Sequence, residues 1–226
     1  MELVSRRKLV GVNHMKLYGY WRSTAAYRVR IALNLLGIQY QSISVHLVKG
    51  GGEQHLPSYE ELNPSHLVPT LVDGDLVLSQ SLAIIEYLDE CYGNNSLLPS
   101  NPAQKAQARA LAQDIACDVH PLNNLRVMQH LGKSAQFDDE DKAQWMAHWM
   151  TEGFSALEQR LKHSMDPFCV GKVPSIADIC LIAQLYNARR FNVSLDNFEK
   201  LVEIEKNCLV LTAFKLAHPS VQPDAS

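Results

Sequence analysis

The chain has 226 residues, of which 46% are hydrophobic and 20% are charged, and its formal net charge is -3. This composition is typical of a globular protein that buries a sizeable core. The slightly acidic balance gives no electrostatic reason to expect nucleic acid or a membrane surface as a partner. No apolar run approaches the roughly 18 residues that a transmembrane helix needs.

Residues 1–14 carry a small basic cluster but lack the apolar segment of a secretion signal. We therefore expect a loose N-terminal extension, with Met15 as a candidate natural start, and a cytoplasmic protein. The five cysteines show no C-x-x-C pair and no Cys/His spacing that suits zinc. We expect no metal site and reduced, mostly buried thiols at Cys91, Cys117, Cys169, Cys180 and Cys208.

Residues 15–92 alternate between strand and helix patterns. A strand pattern begins at Met15, a helix pattern covers about 25–36, and Gly37 stands where a C-terminal cap is required. Apolar and polar residues then alternate over 41–47, which predicts a second strand.

The rest of this half begins with a polar loop that has a predicted helical turn near 59–62. Two apolar runs joined at Asp73-Gly74 predict a hairpin, and a helix pattern over 81–92 follows. The resulting order, β-α-β-β-β-α, is that of a thioredoxin-like fold, although other small α/β domains share parts of it.

Residues 93–101 are rich in Gly, Asn, Ser and Pro and predict a linker. Beyond it, over 102–226, apolar residues recur at spacings of three and four, which predicts an all-helical domain. Acidic residues at 138–141 precede one helix pattern and complement its N-terminal partial charge. Ser175 and Asp178 have the spacing of a capping box at the start of another.

The stretch YWRSTAAYRVRIALNLLG, residues 20–37, places Ser23 and Thr24 where the first helix begins, between Arg22 and Arg28. These residues alone leave two interpretations open. The hydroxyls form an ordinary N-cap with solvated neighbours, or they belong to a site that lowers the pKa of a bound thiol.

Two further stretches carry candidate binding groups. The energetics of an X–Pro bond predict a trans Val68–Pro69 peptide; in the cis form, the Val68 backbone would be available to pair with an extended peptide. Gln80 and Ser81 stand at a helix start, where backbone N–H groups favour an anion, although simple capping is the commoner role of such a serine.

Together these stretches resemble the zeta class of the cytosolic glutathione transferases, whose best-known members are maleylacetoacetate isomerases. The resemblance extends from about Met15 to Pro223 with similar spacing throughout. It is carried by RSTAAYRVRIALNLLGI, NPSHLVPTLVDGDLVLSQSLAIIEYLDE, DVHPLNNLRV, VGKVPSIADICL and NARRFNV. The first segment separates this class from the transferases that use a tyrosine. One departure is Ala25, where many members carry Cys.

The resemblance implies a cytosolic glutathione transferase fold, with glutathione as cofactor. Ser23 then hydrogen-bonds the glutathione sulfur and favours the thiolate, and Thr24 supplies a second hydroxyl. Because their spacing is i, i+4, His120 and Asn124 are expected on one helix face. The further cofactor-binding residues that the resemblance implies are Gln54, Val68 beside a family cis-Pro69, Gln80, Ser81, His120, Asn124 and Arg126.

For a substrate with two acidic ends, arginine is the expected partner because guanidinium binds carboxylate bidentately. We assign Arg22 and Arg190 to this role; the alternatives are a solvated charge for Arg22 and a basic helix end for Arg190. Arg28 is expected to be structural, pairing within its domain or across a dimer interface.

The activity that the resemblance implies is cis–trans isomerisation of maleylacetoacetate to fumarylacetoacetate in tyrosine and phenylalanine (homogentisate) catabolism, by a homodimer. Three alternatives stay open. They are maleylpyruvate isomerisation, broader glutathione conjugation or dehalogenation of small haloacids, and a non-catalytic adaptor of the same fold.

Overall fold

The computed structural model describes residues 15–225, so the expected extension over 1–14 lies outside the described residues. Four strands form one sheet in the order β2-β1-β3-β4. β1 is parallel to β2 and antiparallel to β3, and β3 and β4 form the predicted hairpin. The strands are β1 Met15–Gly19, β2 Gln41–Ser44, β3 Thr70–Asp73 and β4 Leu76–Ser79.

Three helices accompany the sheet: α1 Thr24–Leu35, α2 Pro57–Glu60 and α3 Ser81–Tyr92. The predicted order of strands and long helices is confirmed, and so is the thioredoxin-like fold. Two turns depend on glycine, because Gly37 after α1 and Gly74 in the hairpin have φ values of +66° and +60°. The predicted helical turn lies two residues earlier than expected.

The second strand is shorter than its sequence pattern. It ends at Ser44, not at residue 47. The chain turns here because the His46 ring nitrogen Nδ1 accepts the backbone N–H groups of Val48 and Lys49 at 3.3 and 3.0 Å. A side chain that bonds to its own local backbone competes with the ladder of a sheet.

Residues beyond 101 are helical, as predicted. Three helices, α1, α4 and α8, pack against α7, which is buried along nearly its whole length. A helix that is apolar on all sides belongs in the centre of a core. The helices are α4 Pro102–Gln113, α5 Leu125–Ser134, α6 Asp139–Leu161, α7 Ile176–Arg190, α8 Glu199–Leu209 and α9 Thr212–Ala217.

Both predicted helix starts are capped. Asp138 and Asp141 form a capping box at α6, and Ser175 and Asp178 form one at α7. The α7 box is buried, and its Asp178 carboxylate also accepts the backbone N–H of Cys169 at 2.7 Å. It therefore ties the preceding loop to the central helix.

The expectation that His120 and Asn124 share one helix face is wrong. α4 continues as a π-helical stretch, Asp114–Val119, and then as a 3-10 helix, His120–Asn123. Pro121 has no backbone N–H to continue an α-helix, and Asn124 is extended (φ -69°, ψ 145°) and caps α5 by accepting the backbone N–H of Arg126. The two side chains therefore belong to different helices.

Of the cysteines, Cys169, Cys180 and Cys208 are buried, whereas Cys91 and Cys117 are exposed. Between residues 15 and 225, no helix has the length and apolar character needed to cross a membrane. The same residues contain no cluster of three or more metal-binding side chains.

Candidate active site

One cavity of about 730 Å³ lies between the start of α1, the loop that follows β2 and the helices of the second half. Its volume is typical of a small-molecule site. The cavity brings together nine of the eleven candidate residues: Arg22, Ser23, Thr24, Gln54, Val68, His120, Asn124, Arg126 and Arg190. Gln80 and Ser81 are not part of its lining.

Ser23 is the N-cap of α1. Its Oγ accepts the backbone N–H of Ala26 at 3.2 Å, so the capping interpretation is correct. A serine hydroxyl also has a proton to donate, and no hydrogen bond among the described residues uses it. Thr24 is nearly buried at the same wall. Because a helix N-terminus carries positive potential, an anion placed here gains a hydroxyl donor and that potential together.

Val68 precedes a cis peptide bond to Pro69. The trans bond expected from peptide energetics is therefore wrong, and the cis bond that the family resemblance implied is present. The trans preference of an X–Pro bond is only about 0.5–1 kcal/mol, which tertiary context can override. Val68 lines the cavity directly before β3.

Gln54 lies in the loop after β2 and is 6% exposed. Its Nε2 donates to the Leu47 carbonyl at 3.3 Å, while its Oε1 is buried and has no hydrogen-bond partner. Buried polar atoms in proteins almost always have a partner. Because Gln54 lines the cavity, a ligand with an N–H or O–H group fits this unpaired acceptor.

Gln80 and Ser81 lie at the start of α3, directly after the hairpin whose first strand follows the cavity-lining residue Val68. β4 ends at Ser79, which pairs with Thr70 two residues after Val68. Gln80 has a φ of +70° and makes no capping bond with its side chain. Ser81 is buried, and its Oγ accepts a hydrogen bond from Arg28 Nη1 at 3.3 Å.

His120 contributes a neutral imidazole to the cavity. Burial, together with the positive charge of Arg28, lowers the pKa of His120 to about 3. Its Nδ1 is buried without a hydrogen-bond partner. At physiological pH this side chain therefore binds as a hydrogen-bonding group and not as a cation.

Arg22, Arg126 and Arg190 all line the cavity, and all three are exposed. Partial desolvation and the positive charge of Arg22 both lower the pKa of Arg190. None of the three takes part in an ion pair within the described part of the chain. Three cations without carboxylate partners in one cavity favour an anionic ligand.

The cavity also has polar lining residues that were not singled out from the sequence, among them Lys142 and Asn187. Lys142 lies in the first turn of α6 and pairs with Asp139 at 3.2 Å. The acidic residues before it were interpreted as complementing the helix dipole, and Lys142 was not considered as a ligand-binding cation. Asn187 is 4% exposed and lies three residues before Arg190 on α7. The i, i+3 spacing from Arg190 is a signal that would have found it.

Comparison with known proteins gives consistent matches over most of the chain. The model of the glutathione S-transferase N-terminal domain matches residues 17–96. A probable maleylacetoacetate isomerase of Vibrio cholerae is 50% identical over 92% of this chain and 97% of its own length.

Two solved structures have the same fold. A maleylpyruvate isomerase, described as a bacterial glutathione transferase of the zeta class, superposes with a TM-score of 0.90 at 39% identity and covers 93% of this chain and 100% of its own. The maleylacetoacetate isomerase of Methylobacterium extorquens, with bound malonate and glutathione, gives 0.89 at 40% identity, with 93% and 99% covered.

Proposed function

The chain belongs to the zeta class of the glutathione transferases, and we propose that it isomerises maleylacetoacetate to fumarylacetoacetate with glutathione as cofactor. The observation that carries the proposal is one cavity in which a hydroxyl pair at a helix start lies with three unpaired arginines. The first feature suits a thiolate and the second a diacid. We place the reaction in tyrosine and phenylalanine catabolism.

The residues of the cavity fit glutathione. A tripeptide carries N–H donors and carbonyl acceptors, which suit the unpaired Gln54 Oε1 and His120 Nδ1. We propose that the Val68 backbone pairs with the extended peptide and that the start of α3 binds its carboxylate. We propose that glutathione is held by Ser23, Gln54, Val68, Gln80, Ser81, His120, Asn124 and Arg126.

When bound, glutathione supplies a thiolate nucleophile that adds reversibly to the conjugated double bond of the substrate and so permits its rotation. The Ser23 hydroxyl donates to the sulfur and favours its ionised form, with the α1 amides and Thr24 in support. Arg22 and Arg190 hold the two carboxylates and stabilise negative charge that develops between them. The protein thus acts by positioning and electrostatics.

Maleylpyruvate isomerisation is the second candidate. It is favoured by the similarity to the solved maleylpyruvate isomerase, and it needs the same chemistry on a shorter diacid. We expect turnover of maleylacetoacetate to exceed that of maleylpyruvate, and turnover to require glutathione. Purified protein is assayed with each diacid, with and without glutathione. Turnover without glutathione, or none with either diacid, would refute the proposal.

The Ser23→Ala/Thr24→Val variant tests the hydroxyls. A hydrogen bond to a charged group contributes about 1.5–3 kcal/mol, so we expect kcat to fall about 10- to 100-fold. Ultraviolet titration of bound glutathione should show a raised thiol pKa.

Two control variants accompany this test. Thr151→Val/Ser155→Ala makes the same chemical change on an exposed face of α6 and should keep full activity. Ser23→Gly removes the hydroxyl donor and is tolerated at an N-cap position at little cost to the helix, which separates lost capping from lost catalysis. Unchanged kinetics in Ser23→Ala/Thr24→Val would remove the hydroxyls from the mechanism.

We further propose a cytoplasmic homodimer with two domains, residues 15–92 for glutathione and 102–226 for the substrate, joined by a linker over 93–101. In support, β4 is an outer strand of the sheet and exposes Leu76 and Val77. An exposed apolar edge strand is a surface that proteins usually cover.

A further inference from the structure

Arg28 is a buried cation that the protein itself does not satisfy. It is 1% exposed on α1, which packs against both α3 and α7. Its Nη1 donates to Ser81 Oγ at 3.3 Å, whereas its Nε and Nη2 are buried without any hydrogen-bond partner. A buried guanidinium with two unpaired nitrogens is unusual, because each unpaired donor carries a desolvation cost.

Arg30, two residues later on α1, provides the contrast. It is 3% exposed, yet its Nε donates to the Ala217 carbonyl at 3.1 Å and its Nη2 to the Trp21 carbonyl at 3.0 Å. Backbone carbonyl groups of the protein therefore satisfy the Arg30 guanidinium. The same helix therefore carries one satisfied and one unsatisfied buried arginine.

No carboxylate balances the charge of Arg28. None of the ion pairs formed by residues 15–225 includes it. The titratable groups that interact with it are the thiols of Cys117 and Cys180 and the neutral ring of His120. A buried charge without a counter-ion is costly, and the cost falls when an anion binds nearby.

The bond to Ser81 sets the direction of the serine hydroxyl. Because Arg28 Nη1 donates to Oγ, the serine proton must point toward a different acceptor, and no described residue supplies one. The hydroxyl lies in the first turn of α3, a twelve-residue helix whose N-terminal amides also favour negative charge. A carboxylate placed there meets the amides, the hydroxyl and the guanidinium behind it.

We propose that Arg28 is the positioning residue of the γ-glutamyl carboxylate subsite: it turns the Ser81 hydroxyl toward that carboxylate and supplies its counter-charge from the protein interior. This inference rests on the proposed seating of glutathione. Arg28 acts through Ser81 and does not touch the reacting sulfur. It should therefore govern glutathione affinity and leave the chemical step unchanged.

The test compares glutathione with cysteinylglycine, which lacks the γ-glutamyl group. Dissociation constants are measured by calorimetry or ligand-observed NMR for the wild type and for Arg28→Met, Arg28→Lys and Arg30→Met. We expect Arg28→Met to weaken glutathione binding about tenfold or more and to leave cysteinylglycine binding unchanged. Arg28→Lys keeps the charge and should regain part of the affinity. Arg30→Met should leave the ratio of the two affinities unchanged.

Kinetics supply a second readout. In the isomerase assay, Arg28→Met should raise the KM for glutathione, with kcat retained at saturating glutathione. Ser81→Ala, which leaves Arg28 in place, should show the same loss of preference for glutathione over the dipeptide. The double variant should be no worse than the more affected single variant, because both residues act on one carboxylate.

The outcomes separate this inference from the proposed function. Wild-type protein that fails to bind glutathione overturns both. Wild-type protein that binds glutathione, while Arg28→Met weakens glutathione and cysteinylglycine equally or neither, overturns the role of Arg28 alone. If Arg28→Met does not fold, Arg28→Lys and Ser81→Ala decide the matter, since retained preference for glutathione in Ser81→Ala contradicts the proposal.

Discussion

The hydroxyl of Ser23 has two hydrogen-bonding directions, and only one is used within the protein. Its oxygen accepts the Ala26 N–H and caps α1, while its proton is available toward the cavity. The two interpretations of this sequence position are therefore compatible. A cap holds the side chain in one orientation, and that orientation makes the remaining proton useful for binding an anion.

Arginine geometry at the cavity leads to a prediction for substrate binding. Arg22 and Arg190 line the same cavity, and neither forms an ion pair among the described residues. We expect Arg190→Met to raise the KM for the diacid about 10- to 100-fold, because a charge-assisted hydrogen bond is lost. Glutathione affinity should stay within about twofold.

Steady-state kinetics with maleylacetoacetate and calorimetry with glutathione provide this measurement. Lys172→Met, which removes an exposed cation outside the cavity, is the matched control and should behave as the wild type. If Arg190→Met leaves the KM for the diacid unchanged, Arg190 is a basic helix end and not an anchor.

The N-termini of the helices differ in how deeply their capping residues are buried. Asp178 at α7 is fully buried and accepts the backbone N–H groups of Cys169 and Ser175 as well as the Ser175 hydroxyl. Asp138 at α6 forms the same kind of capping box at an exposed position. The two capping boxes have the same sequence pattern, but more buried hydrogen-bonding groups depend on the box at α7 than on the box at α6.

We expect Asp178→Ala to lower the free energy of unfolding by about 2–5 kcal/mol, because it leaves two buried N–H groups without acceptors. Asp138→Ala should cost only about 0.5–2 kcal/mol, the usual loss of an N-cap. Urea unfolding followed by circular dichroism gives both values. Equal losses in the two variants would contradict the argument from burial.

The sheet and α3 together form the surface on which the dimer proposal rests. β4 exposes Leu76 and Val77, and Tyr92 at the end of α3 is exposed as well. Tyr87 and Tyr92 both donate to the Asp73 carboxylate, which ties the hairpin to α3. This apolar surface is therefore held in one arrangement by the fold.

We expect the protein to sediment at about twice the 25.4 kDa chain mass and Val77→Lys to shift it toward the monomer, because a charge is costly in an apolar interface. Sedimentation velocity at several concentrations measures this. Val173→Lys, at another exposed valine, is the matched control. A monomeric wild type, or a dimer unaffected by Val77→Lys, would show that this surface is not the interface.

Most of the elements were predictable from local patterns, whereas most of the candidate site residues were implied by the family resemblance. Some signals act over only a few residues and can therefore be recognised in the sequence. They are the hydrophobic periodicity, Gly37, the Asp73-Gly74 turn and the Ser175/Asp178 capping box. Two local patterns were exceptions. The His46 ring accepts nearby backbone N–H groups and β2 therefore ends early. The break in the helix after Val119 places His120 and Asn124 on different helices.

Burial and pairing across the chain were not predictable, because they depend on which distant groups meet. Arg28 and Arg30 lie two residues apart on one helix, and only packing against α3, α7 and the residues near Ala217 makes one unsatisfied and the other satisfied. The neutral ring of His120 likewise follows from long-range surroundings. The amino-acid sequence alone establishes the features that neighbouring residues produce, which are the helix caps, the turns and the periodicity. The tertiary structure alone establishes which polar groups are desolvated, because desolvation arises when remote segments pack together.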